Sequence, residues 1–161
     1  ASDVYKRQLC VAVCVSAFVM ADHLSRVGQD VNHGVLAAES LVERVKDGNT
    51  GDFGTYEPDE VFGTVFENWK TKDPEAKAVY QYIKDGGEVR NYQILWDKEW
   101  NSYPDTKELE KNGKKLAYVG LITTGVKDQM KEIAVVIFGY GTYGDQGYKI
   151  YHLFAEQYVK P

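Results

Sequence analysis

The chain holds three histidines, His23, His33 and His152, and they are the first residues to test for chemistry because imidazole has the side-chain pKa nearest neutrality. His23 and His33 lie on an expected helix, ten positions apart. At ~1.5 Å rise per residue that separates them by about 15 Å, so they do not share a metal. His152 alternates with Ile150 and Phe154 along an expected last strand, so it either faces a pocket or sits satisfied in the core. No acid stands beside it in sequence, which favours the core. Asp97, Glu99 and Glu132 fall at strand ends and read as solvated carboxylates. No G-x-S-x-G elbow and no Ser-His-Asp order is legible, so hydrolase chemistry has no sequence support.

The run Gly139-Tyr140-Gly141-Thr142-Tyr143-Gly144 fits the G-x-G-x-x-G of dinucleotide sites and follows an expected strand. What comes next is YKIYHLFAEQY, another alternating strand rather than a helix whose amino terminus could hold a pyrophosphate. The glycines therefore read as a turn between two strands, and no cofactor is implied. Both cysteines, Cys10 and Cys14, lie in one apolar run near the start, leaving the rest of the chain without a thiol for a disulfide, a zinc site or a nucleophile. No metal site is expected. Aromatics are abundant, with 12 Tyr, 6 Phe and 3 Trp, and many fall in the second half, where rings line a cleft or pack across strands.

The elements that must position these side chains divide the chain into a helical front and a strand-rich back. Leu24, Val27, Val31, Val35, Ala38, Leu41, Val42 and Val45 recur at three- and four-residue steps between Asp22 and Gly48, which predicts a long amphipathic helix. GNTGDFGTY is a turn-rich connector. Val61, Phe62, Val65, Phe66 and Trp69 then share one face of a second helix, with Pro58 in its first turn. Asp73-Pro74-Glu75 opens a third, with Ala76, Val79, Tyr80 and Ile83 inward and Gly86-Gly87 as its stop. Four strands follow, in EVRNYQILW, KKLAYVGLITT, KEIAVVIFGY and YKIYHLFAEQY. Their short connections favour antiparallel hairpins, since a parallel crossover takes about a dozen residues or more. NSYPDTKELEKNG reads as a long acidic loop in which Asn112-Gly113 turns a small hairpin.

At 161 residues with 43% hydrophobic content, the chain has material for a single core. Its formal charge of −5 without a basic cluster argues against nucleic acid as a partner and against charge-driven membrane binding. Residues 1–8, ASDVYKRQ, back-translate in frame to a sequence containing a transposase end used in sequencing libraries, and are expected to be adapter-derived. Residues 9–21, LCVAVCVSAFVMA, are expected to be a truncated secretory h-region cleaved before Asp22, or a membrane anchor if the apolar run extends upstream. Residues 22–161 are then a single α+β domain with an extracytoplasmic location, periplasmic or secreted.

A signal or anchor segment, a long first helix, a GNTGDF connector, further helices and a sheet closing with IAVVIFGYGTYGDQGYKIYHL resemble, in that order, extracytoplasmic members of the NTF2-like superfamily. The resemblance implies a cone-shaped α+β domain in which a curved sheet wraps the long helix. It also implies a pocket drawn from Tyr92, Trp96, Tyr118 and His152, the candidate ligand-binding residues. The missing long strand between the helices departs from that pattern and keeps a cystatin-like sheet-on-helix arrangement open. The fold class expected is α+β, three helices on a curved four-stranded antiparallel sheet. The function expected is a non-catalytic binding module that uses an aromatic pocket or face for a small apolar or aromatic ligand or a protein partner, a homodimer through the sheet included. The alternatives are a small cofactor-independent lyase or isomerase with His152 as base and a tyrosine as acid, and a membrane-anchored assembly subunit. Binding is preferred because no acid can be placed beside His152 from sequence.

Overall fold

The structure is a computed structural model that describes residues 21–56, 64–140 and 147–160, with side chains of the first helix from Gly28 onward. The run 9–20, Pro58, Val61, Phe62 and the Gly141–Gly144 part of the glycine motif lie outside the described residues. Two compact units are delimited, residues 1–33 and 34–161. The first holds the opening turns of helix α1, and the second holds its remainder and every other described element.

Helix α1 spans Ala21–Lys46. Its end is set by Gly48, whose φ of 76° is a left-handed conformation that glycine adopts without a Cβ penalty. Gly48 donates its N–H to the Val45 carbonyl at 3.1 Å and Asn49 donates to Arg44 at 2.8 Å, which satisfies two of the last carbonyls of the helix. Strand β1, Gly54–Thr55, follows within the connector. Helix α2 spans Thr64–Lys72 and helix α3 spans Pro74–Asp85. The Asp73 carboxylate caps α3 by accepting from Ala76 N at 2.9 Å, with Pro74 in the first turn where its missing N–H costs nothing.

The strands are β2 (Gly87–Trp96), β3 (Ser102–Tyr103), β4 (Tyr118–Lys127), β5 (Met130–Gly139) and β6 (Tyr148–Tyr158). With β1 they form one six-stranded antiparallel sheet in the order β1-β2-β4-β5-β6, with β3 also on β2. The α+β class therefore holds, with six strands where four were expected; the additions are the two-residue β1 and β3, too short to carry any alternation. The segment expected to turn a hairpin at Asn112-Gly113 is instead helix α4, Thr106–Lys111, capped by Asp105 accepting from Glu108 N at 2.8 Å. Asn112 closes that helix, and Gly113 follows it. Gly139 pairs with Tyr148, so the motif begins at the end of β5, and the next described element is the antiparallel strand β6.

Both faces of the sheet are covered, which is why Ile94, Leu95 and Trp96 are all buried despite pointing alternately to opposite sides. On one face Ile94, Ile122, Ile133, Val135 and Ile137 pack with Ala38, Leu41, Val42 and Val45 of α1. On the other, Leu95, Val119, Leu121, Val136 and Phe138 pack with Tyr56 and with Phe66 of α2. A register shift between Ile137 and Phe138 leaves Ile150 unpaired on β6. This bulge turns Ile150 toward the α1 face, where a Cβ placed on Gly34 would stand 2.9 Å from its Cγ2. The expected common face of Ile150, His152 and Phe154 is broken at that point.

Candidate functional site

Helices α2 and α3 and the β2–β4 pair border a half-open cavity of about 560 Å³. Its floor is polar. Thr123 donates its single hydroxyl hydrogen to Asn91 Oδ1 at 3.1 Å, so the Tyr56 hydroxyl, 2.8 Å from Thr123 Oγ1, donates to it. The Tyr56 phenol is pushed up to about 12, first by burial, against the lowering effect of its Thr123 hydrogen bond, with the Glu67 charge adding to the rise. Tyr80 also lines the cavity, and its hydroxyl is buried with no hydrogen-bond partner among the described residues. Burial holds that phenol well above its ordinary value, and the neighbouring Tyr56 adds to the shift. Both tyrosines are therefore neutral at physiological pH and act as hydrogen-bond donors rather than bases.

The walls are apolar on one side and cationic on the other. Phe66, Ile83 and Val89 supply the apolar surface, and Lys70, Lys77 and Lys84 the charge. Glu67 is the one carboxylate among the described lining residues, and it is paired to Lys70 at 2.9 Å. The Lys70 ammonium also sits 4.6 Å above the Phe66 ring and 5.5 Å from that of Tyr80. An aromatic cluster backs this wall: Phe66 meets Tyr80 edge-on at 5.8 Å and stacks on Trp69 at 6.3 Å.

The structure separates the four candidates named from sequence. Tyr92, Trp96 and Tyr118 lie on the α1 face, since Tyr92 pairs with Ile122 and Trp96 with Tyr118. They are packing residues there: Trp100 stacks on Tyr118 at 3.9 Å and tilts against Trp96 at 5.3 Å, and Tyr92 meets Phe53 at 5.7 Å. His152 lies on the opposite face, paired with Val136, and half-buried against Trp69 and Phe154. Its Nδ1 is 2.7 Å from Lys149 Nζ. Burial lowers the His152 pKa and the Lys149 charge lowers it further, against Asp73 and Glu75. None of the four is part of the cavity lining described above. Sequence reasoning passed over Tyr56, Asn91, Thr123 and the lysines; the regular spacing of Lys70, Lys77 and Lys84, seven residues apart, was the available signal.

Two of the carboxylates read as solvated are not. Asp97 is 1% exposed and accepts from Glu99 N, Asn101 N, Asn101 Nδ2 and the Tyr103 hydroxyl at 2.9 to 3.2 Å. Burial pushes its pKa up, and those four hydrogen bonds outweigh burial and hold it below the ordinary aspartate range. Its role is to fold the loop that presents Trp100 to Tyr118. Glu132 is 9% exposed and pairs across strands with Glu156. Burial first, then a shared hydrogen bond and repulsion from Glu156, raise it to about 7. Among the described residues no three His, Cys, Asp or Glu converge to hold a metal ion, and no helix is long and apolar enough to cross a membrane. No family model, curated protein or solved structure compared with the chain matches it.

Proposed function

We propose that this chain is an extracytoplasmic, non-catalytic binding module whose ligand occupies the cavity between α2, α3 and the β2–β4 pair. The observation that carries the reading is that Tyr80, which lines a cavity of about 560 Å³, has a buried hydroxyl with no hydrogen-bond partner among the described residues. A hydroxyl left unpaired in the fold costs about 1–3 kcal/mol, and a ligand that accepts from it recovers that cost on binding. The volume falls in the range of about 300–1,000 Å³ typical of small-molecule pockets. Binding is favoured over catalysis because both phenols are neutral and, among the described residues, the only lining carboxylate is engaged by Lys70, so none of them stands ready to abstract a proton. The extracytoplasmic location rests on the apolar run Leu9–Ala21.

A thermal-shift screen of small metabolites tests this, read alongside the fluorescence of Trp69, whose ring contacts Phe66 and Tyr80. A ligand class that raises the midpoint with concentration, shifts Trp69 emission and loses affinity in Tyr80→Phe is the expected result. A ligand that stabilises wild type and Tyr80→Phe equally overturns the assignment of the cavity.

A further inference from the structure

We propose that the ligand of this cavity is a small amphipathic anion, an apolar body carrying one carboxylate or phosphate group; the inference rests on reading the cavity as a ligand site. The charge of the lining runs against that of the chain. The whole sequence is acidic at −5, yet the described residues of the cavity wall include Lys70, Lys77 and Lys84 against the single acid Glu67. Glu67 neutralises Lys70 at 2.9 Å. Lys77 and Lys84 make no ion pair among the described residues and stand on one face of α3, about 10 Å apart along the axis at ~1.5 Å per residue. Two uncommitted cations therefore border the cavity.

The neutral groups agree with an anionic guest. Tyr80 has a hydroxyl hydrogen to give, and the Asn91 amide, whose oxygen is occupied by Thr123, has its N–H groups left to donate. Because both phenols hold their protons, neither adds a negative charge that would repel an anion. Phe66, Ile83 and Val89 supply the surface for an apolar body, and Val89, 46% exposed, offers apolar surface that a bound ligand would cover. A cationic ligand would face two lysines with no free carboxylate among the described lining residues to receive it. A fully apolar one would leave the Tyr80 hydroxyl as unpaired as before.

Calorimetry on the full chain with three matched probes decides the matter: 2-naphthoate, its neutral isostere 2-naphthamide, and 2-naphthylmethylamine. The expected result is that naphthoate binds at least tenfold tighter than naphthamide, loses affinity as salt rises, and that the amine does not bind. In the double variant Lys77→Gln/Lys84→Gln, at two exposed positions, naphthoate should fall to the affinity of naphthamide while naphthamide is unchanged. Equal or tighter binding of the amide or the amine in wild type overturns the anion inference and leaves the site standing. No binding of any probe overturns both. The wild-type probe series and its salt dependence decide the question even if the double variant fails to fold.

Discussion

Replacing Tyr80 by phenylalanine should stabilise the free protein while it damages the site. The hydroxyl oxygen is buried and unpartnered among the described residues, and the phenol is neutral, so Tyr80→Phe removes one desolvated polar atom and no charge. An unsatisfied buried hydroxyl costs about 1–3 kcal/mol. The void left by one oxygen costs only a few tenths of a kcal/mol at ~24 cal/mol per Å³. The net gain is about 1 kcal/mol, or roughly 4 °C in the unfolding midpoint for a domain of this size. Tyr56→Phe, in the same cavity, should go the other way by about 1 kcal/mol, because it breaks the 2.8 Å bond to Thr123. Urea unfolding of both variants beside wild type, with unchanged slopes, is the assay. If Tyr80→Phe is destabilised by 1 kcal/mol or more, its hydroxyl has a partner in the native protein, and the observation on which the binding site rests is gone.

Glu132→Gln should change how stability depends on pH. The folded pKa of Glu132 is raised from 4.5 to about 7, so its contribution is fully present below 4.5 and is lost as pH rises through 7. After allowance for solvent screening the loss is of order 1 kcal/mol. The midpoint of wild type should therefore fall relative to Glu132→Gln between pH 5 and pH 8, and parallel curves would refute the buried pairing with Glu156. Asp97 carries the opposite sign: its lowered pKa gives stability that is present above the ordinary aspartate value and lost in acid. Asp97→Ala should cost about 2–3 kcal/mol in urea titrations at pH 7, since the hydrogen bonds to its carboxylate go together. Gln129→Gly should raise stability by about 0.5–1 kcal/mol: Asp128 and Gln129 turn the β4–β5 hairpin with φ of 52° and 66°, a pair of left-handed residues for which Asp-Gly is the favoured sequence. A loss of stability there would mean that the hydrogen bond from the Tyr158 hydroxyl to Gln129 outweighs backbone strain.

The long elements were legible because each repeats its signal. Ala38, Leu41, Val42 and Val45 mark the buried stripe of α1, Gly48 marks its end, and Asp73-Pro74 marks the start of α3. Shorter features left weaker traces. Helix α4 is preceded by Asp105 with Glu108 three residues on, a capping signature, but its six residues, charged at four positions, resemble a loop. The bulge at Ile150 inverts the alternation of β6 part-way, which no simple two-residue period reveals. The cavity was harder still. Its polar floor joins Tyr56, Asn91 and Thr123 from three separate stretches, and its lysines lie on exposed helix faces where solvated charge is the ordinary reading. The aromatic residues that did attract attention, Trp96 and Tyr118, are conspicuous in sequence for the same reason that they are buried: large rings fill a core efficiently.

The free margin of β2 has a further consequence, for self-association. β1 pairs only with Tyr92 and Gln93, and β3 only with Leu95 and Trp96, so the Gly87–Asn91 stretch has no strand beyond it among the described residues. Such a margin is a template on which another chain could polymerise. Here the template is spoiled: the ladder slips between Gly87 and Arg90, and Glu88 takes a φ of 55° that no regular strand contains. An incoming strand would find its hydrogen-bonding groups out of step beside a carboxylate and a guanidinium. The irregularity at Gly87–Arg90 thus also makes this margin of β2 a poor template for another strand.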